Sequence, residues 1–241
     1  MAINRGQNVR NIKGLLFDKD GTLFDFRTTW GAWARVFFMD IAQQDKAMAQ
    51  KMALGMGFDF TTGEYRRDSI VIAGTPDDIV EALIDVLPGW TAEELVVRIN
   101  QIATDVPQME AVPLVPLLTE FRRRGIKLGV ATNDAVAPAM AHLKSAGVVE
   151  LFDFIAGFDS GFGAKPETGM QQGFCQAMNL RPAEVVMVGD SLHDLISGRN
   201  AGMHTIAVLT GMAESDELSP YADIVLGDIG EIPAYLGLHQ V

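Results

Sequence analysis

Phe17-Asp18-Lys19-Asp20-Gly21-Thr22-Leu23 closes a short apolar run, NIKGLLFD, that extends from Asn11 to Asp18. An apolar stretch of strand length that ends in an acid reads as a buried strand reaching a polar edge. In an extended segment, positions i and i+2 share a side, so Asp18 and Asp20 converge on one point. Two converging carboxylates repel unless a cation or a shared proton offsets them. A hard divalent ion such as Mg²⁺ suits all-oxygen ligation. Gly21 permits a sharp departure from the strand. Taken alone, DKDG would serve as well as a surface turn.

Working outward, similar runs recur in the second half of the chain. They are GIKLGVATND (125–134), FDFIAGF (152–158), EVVMVGD (184–190), HTIAVLT (204–210) and ADIVLGD (222–228). Helical patterns separate them: VPLLTEFRRRG, APAMAHLKSAG, ETGMQQGFCQAMNL and LHDLISGRNAG. Several close on Gly or Asn, a usual helix stop. Apolar strands alternating with helices imply an α/β fold with a parallel sheet covered on both faces. Ligands of such sheets bind at the carboxyl ends of the strands.

Residues 28–108 differ. They read as helix after helix, with Thr75 and Thr91 as N-caps followed by acids. A helical block between the first and second strands suggests an inserted cap. The predicted division is a core of residues 1–26 and 109–241 and a cap of residues 27–108, with joints near Phe24–Arg27 and Val106–Val112.

Three further strand ends carry polar groups. Thr132 and Asn133 offer a hydroxyl and an amide to a phosphate oxygen, and either could instead cap the next helix. Lys165 precedes a predicted helix that starts at or after Pro166, and a solvated loop lysine is an equally simple reading. Asp190 ends a strand and Asp194 follows in the first turn of a helix, where Asp190 or Ser191 could also serve as the cap.

In this order and spacing the four stretches resemble the haloacid dehalogenase-like hydrolase superfamily. Asp18-Lys19-Asp20-Gly21-Thr22-Leu23 matches its first motif, Thr132 its second, Lys165-Pro166 its third and Gly189-Asp190-Ser191-x-x-Asp194 its fourth. The resemblance implies a Rossmann-like three-layer core with an inserted all-α cap, as in phosphoglycolate phosphatase-like members. It implies that Asp18 is the nucleophile and Asp20 the general acid/base. Asp18, the backbone carbonyl of Asp20, and Asp190 would hold Mg²⁺, with Asp194 supporting the metal shell or orienting Lys165. Thr132, Asn133 and Lys165 would bind the phosphoryl group. The expected activity is hydrolysis of a small phosphate monoester, phosphoglycolate first, through an aspartyl-phosphate. One departure is Thr168, where relatives often carry a second proline.

Cap residues tend to select substrates in this family, and Arg66 or Arg67 could meet a second anionic group. A solvated charge cluster, Glu64 to Asp68, explains them equally well. Trp30, Trp33, Phe37 and Phe38 fall near helical spacing and read as cap core, with Trp30 close enough to the first motif to face the site. His193 reads as helix surface, and His142, His204 and His239 show no metal-like clustering.

The net charge of -12 disfavours nucleic acid and anionic membranes as partners. A phosphate ester needs the local sign reversed, which a metal and Lys165 would do. One cysteine, Cys175, excludes an internal disulfide and reads as a small buried hydrophobe. The start, MAINRGQNVRN, lacks the apolar core of a signal peptide, so a reducing cytoplasmic location is expected. Of the rival activities, a phosphomutase of the β-phosphoglucomutase type would share every core residue. A dehalogenase would not need Asp20. A receiver-type signalling domain has an adjacent acid pair and no large cap.

Overall fold

The computed structural model describes residues 11–238; the polar start of the chain and His239 lie outside the described residues. In chain order the elements begin with β1 (Gly14–Phe17), α1 (Phe26–Ile41), α2 (Lys46–Gly55), α3 (Pro76–Leu83) and α4 (Ala92–Asp105). Then follow α5 (Leu114–Arg123), β2 (Lys127–Ala131), α6 (Val136–Ser145), β3 (Phe154–Ala156) and α7 (Gly169–Met178). The chain continues through β4 (Val185–Gly189), α8 (Leu192–Asn200), β5 (His204–Val208), α9 (Ser215–Leu218), β6 (Ile224–Leu226) and α10 (Ile232–Tyr235).

Among the described residues the strands form one sheet in the order β3-β2-β1-β4-β5-β6, and every pairing is parallel. Strand alternation divides the core. Leu15 and Phe17 of β1 pack with Leu118 and Phe121 of α5 and Leu143 of α6. Leu16, on the other face, packs with Met170 and Phe174 of α7. Both faces are therefore dry, which is why the strands read as continuous apolar runs. The chain winds from β1 to β3 in one direction and from β4 to β6 in the other. The reversal lies between β1 and β4, and that switch point is where a sheet of this kind holds its ligand.

The helical cap leaves and rejoins the core through two adjacent strands of linker. Asp25 N donates to Met109 O at 2.8 Å, and Ala111 N donates to Leu23 O at 2.9 Å. Asp25 also caps α1 through Thr28 N. The predicted caps Thr75 and Thr91 both form capping boxes, with Asp78 and Glu94. The cap has its own apolar cluster, in which Trp33 stacks on Phe37 at 4.6 Å between ring centroids. Trp33, Phe37 and Phe38 are fully buried there, as their spacing predicts.

One boundary differs from the sequence reading. Ala135 precedes α6, so neither Thr132 nor Asn133 caps that helix; Asp159 Oδ1 accepts from Val136 N instead. The helix after Lys165 starts at Gly169, beyond Pro166.

Truncating Trp33 to alanine removes the centre of the cap cluster. We expect a loss of about 3–5 kcal/mol, read as a lower urea midpoint.

Candidate active site

Four strand ends converge on one cleft. It is lined from the core by Asp18, Asp20, Thr132, Lys165, Asp190 and Asp194, and from the cap by Trp30, Ile72 and Gly74, among others. Asp18 follows β1 and Asp190 follows β4, so the two flank the switch point.

Lys165 is the hub. Its Nζ lies 2.6 Å from Asp18 Oδ1, 2.6 Å from Asp194 Oδ1 and 2.8 Å from Ala131 O, and the side chain is buried. Burial disfavours its charge, but the two carboxylates outweigh that and raise its pKa. Asp194 also completes a capping box: its Oδ2 accepts from Ser191 N at 3.0 Å and from Ser191 Oγ at 2.6 Å. Capping and site chemistry therefore coexist in one residue, with Ser191 as the cap.

Carboxylate oxygens of Asp18, Asp190 and Asp194 lie within 4.8 Å of one another, all buried. Burial, with the neighbouring acids Asp194 and Asp20, pushes Asp18 up to about 7 against the pull of Lys165. Burial, then Asp18 and Asp194, raises Asp190 well above the usual carboxylate range. One lysine does not balance three buried acids. An all-oxygen set with surplus negative charge fits a hard divalent cation such as Mg²⁺. Since Lys165 and Ser191 occupy both oxygens of Asp194, Asp18 and Asp190 are the freer donors.

Backbone shape holds this set together. Gly21 has φ +83°, and a Cβ there would overlap the Asp190 carboxylate; a Cβ on Gly211 would overlap it too. Thr22 Oγ1 donates to Asp190 Oδ1 at 3.3 Å.

Asp20 belongs to a second network that the sequence reading missed. Lys19 is fully buried, with Nζ 2.6 Å from Asp20 Oδ2, 3.2 Å from Asp134 Oδ2 and 3.0 Å from His142 Nδ1. Burial works against the Lys19 charge, yet Asp20 and Asp134 raise its pKa. Burial lifts Asp134 to about 6. Since Lys19 donates to Nδ1, the neutral His142 carries its proton on Nε2 and donates to Ala103 O of α4 at 2.7 Å. His142 thus ties the acid's support to the cap. The signals were present: a lysine at a buried strand end demands acidic partners, and His142 shares the buried face of α6 with Pro138, Ala139 and Leu143.

Three predicted roles need correction. Asn133 does not present its amide to a phosphate. Nδ2 donates to Ala73 O and Lys165 O, both at 2.9 Å, and Oδ1 accepts from Lys165 N at 2.8 Å. With both donors taken, it braces the Lys165 loop and the cap. Arg66 and Arg67 do not line the cleft. Arg66 pairs with Asp68, and Arg67 reaches Glu214 and Glu217 on the core, all exposed. His193 is half-buried and lines the cleft, where an exposed helix surface was expected. Trp30 faces the site as expected. Thr132 is buried; its Oγ1 accepts from Asp134 N, which leaves its proton to donate. Cys175 is buried, and burial raises its thiol.

Residues 12–202 match the family model for haloacid dehalogenase-like hydrolases. The chain belongs to that family. It is 24% identical over 229 residues to pyrophosphatase PpaX of Oceanobacillus iheyensis, covering 94% of this chain and 98% of that one. A Bacillus mycoides pyrophosphatase PpaX is 31% identical over 116 residues, 47% of this chain; the match spans 53%, about half, of that relative's length. Among solved structures, a predicted phosphoglycolate phosphatase from Haemophilus somnus aligns with a TM-score of 0.73 at 18% identity, over 93% of this chain and 97% of that one. A β-phosphoglucomutase from Clostridium difficile aligns at 0.64 with 17% identity, over 94% and 98%. These two likenesses bear on the fold. The family hydrolase therefore has the parallel-sheet α/β core and helical cap expected from the sequence. No described helix is long and apolar enough to cross a membrane.

Burial, with the nearby Lys19 charge, depresses His142 to about 4. A depressed folded pKa means the unfolded chain binds the extra proton first. Stability from this group is complete above pH 6.5 and falls as pH drops from there to about 4. We expect His142→Gln to lessen the fall in Tm across that window, measured by thermal melts at stepped pH.

Proposed function

We propose that this hydrolase is a magnesium-dependent phosphatase that cleaves a small phosphate monoester through a phospho-Asp18 intermediate. The observation that carries the reading is Lys165 held between Asp18 and Asp194, with Asp20 separately held on Lys19, at the switch point of the sheet. One carboxylate is positioned beside a fixed ammonium, where a phosphate dianion is attracted. The other is kept apart from it for proton transfer.

In the first step the Asp18 oxygen not held by Lys165 attacks phosphorus. The phosphorus–alcohol bond breaks, and Asp20 gives its proton to the leaving oxygen. In the second, water attacks the phosphoryl group, Asp20 takes a proton from that water, and the Asp18–phosphorus bond breaks. The Thr132 hydroxyl donates to a phosphoryl oxygen, and the Lys165 ammonium, its three donors on Asp18, Asp194 and Ala131 O, offsets the phosphoryl charge by its proximity. Asp18, Asp190 and the Asp20 backbone carbonyl would hold Mg²⁺, with Asp194 orienting Lys165. The ion would screen the repulsion between Asp18 and the phosphate.

In this reading residues 1–26 and 109–241 act as the catalytic core and 27–108 as a cap domain that closes over it. A small phosphorylated metabolite is the partner. The single buried cysteine suits a reducing, cytoplasmic setting.

Asp18→Asn keeps the shape and removes the nucleophile. We expect phosphate release to fall by about 10³-fold or more with an unchanged circular dichroism spectrum; near-normal turnover would remove Asp18 from its role. We expect EDTA to stop release from p-nitrophenyl phosphate and added Mg²⁺ to restore it. Release that survives chelation contradicts the metal assignment.

A further inference from the structure

The cap wall of the cleft is uncharged. It consists of Phe26, Trp30, the 71–74 segment, Pro76 and Ile79. Among the described residues lining the cleft, Lys165 is the one lysine or arginine, and it is committed to Asp18 and Asp194. The cap arginines nearest in sequence, Arg66 and Arg67, are exposed and paired with acids; Arg67 borders an adjoining cavity, with Ile72 and His193, but is held there by Glu214 and Glu217. A leaving group that carried its own carboxylate or second phosphate would enter a cleft already rich in aspartates and meet no unpaired cation on the cap side.

Two cleft-lining side chains, one on the cap and one on the core, have a buried polar atom without a partner. Trp30 is buried, and its Nε1–H has no hydrogen-bond acceptor; the buried Nδ1 of His193, on the core side, has no partner either. A buried donor left unpaired costs stability, so it points to a group that pairs when a ligand is bound. Trp30 is fixed by rings on both sides: Phe26 stacks on it at 6.3 Å and Trp33 meets it edge-on at 5.3 Å between centroids. Its N–H can therefore select an oxygen by position.

We propose that the leaving group is an uncharged, hydroxyl-bearing organic alcohol, recognised by Trp30 Nε1–H and His193 Nδ1 across an otherwise apolar wall. The inference rests on the phosphatase reading and narrows its substrate class. It sets aside phosphoglycolate and pyrophosphate, whose second anionic groups this wall does not meet. The cleft as it stands has a cavity volume of about 40 Å³, room for a few waters, so the cap has to move off the core to admit such an ester.

The test compares kcat/KM of the magnesium-loaded full chain on two sets of esters. One set is polyol and sugar phosphates, represented by glycerol 3-phosphate and erythrose 4-phosphate. The other is phosphoglycolate and pyrophosphate, with p-nitrophenyl phosphate as a general reporter of the chemistry. We expect the best neutral-alcohol ester to exceed both anionic ones by about tenfold or more. In Trp30→Phe, and separately in His193→Ala, we expect the ratio of that ester to p-nitrophenyl phosphate to fall by about fivefold. Phosphoglycolate or pyrophosphate as the best substrate overturns this inference and leaves the phosphatase reading standing. An unchanged ratio in both variants overturns the role of the two side chains. No release from any ester, p-nitrophenyl phosphate included, overturns the phosphatase reading and this inference together. The wild-type comparison stands whether or not either variant folds.

Discussion

Buried acids outnumber buried bases at the carboxyl edge of the sheet, and the rest of the site follows from that imbalance. Asp18, Asp134, Asp190 and Asp194 are buried and Asp20 nearly so, against Lys19 and Lys165. Charges withdrawn from water survive only with partners and hydrogen bonds. The two lysines therefore divide the acids into two groups. Lys165 takes Asp18 and Asp194, and Lys19 takes Asp20 and Asp134. This division gives two carboxylates two residues apart in sequence different surroundings, which is what a nucleophile and a proton carrier require. The surplus of acid that remains is the physical reason the site suits a divalent cation.

The second network joins chemistry to the cap. Lys19, His142 and the Ala103 carbonyl form a buried path from Asp20 to α4. Asn133 forms a parallel link from the Lys165 loop to the cap at Ala73. Both contacts reach the cap through backbone carbonyls. On the inside, the cap thus docks through its main chain, and the side chains of its cleft wall take no part in these two contacts. In the proposed reading, a small apolar wall over a charged floor separates two tasks: the floor handles phosphate, and the wall sorts what the phosphate is attached to.

Much of this was legible in the sequence because β1, β2 and β4 each end in a cleft residue. Apolar runs fixed by burial on both faces delivered Asp18, Thr132 and Asp190 to one edge, with Lys165 in the loop after β3, and alternation with helices implied the parallel sheet. The capping signals at Thr75, Thr91 and Ser191 were equally local. Harder to read were residues whose roles arise from contacts distant in sequence. His142 pairs with a lysine 123 positions away, and nothing in its own helix announces that partner. Asn133 looked like a phosphate ligand because its amide suits one; only the fold shows both donors spent on carbonyls. Arg66 and Arg67 looked like anion binders because charge is visible in sequence and direction is not. For Trp30 the aromatic spacing gave the helix face correctly.

Arg67 reaches across from the cap to Glu214 and Glu217, and every side chain in that clasp is exposed. Water and dissolved ions weaken such a contact, whereas the neutral Asn133–Ala73 bond lies deeper and carries no net charge to screen. The seam between cap and core therefore has fastenings of two kinds, an ionic one on the rim and neutral ones inside, where the His142–Ala103 bond joins the Asn133–Ala73 bond. Ionic strength acts on the rim fastening alone. At low salt both kinds hold; as salt rises, the rim loosens first, and the motion of the cap comes to turn on the inner hydrogen bonds.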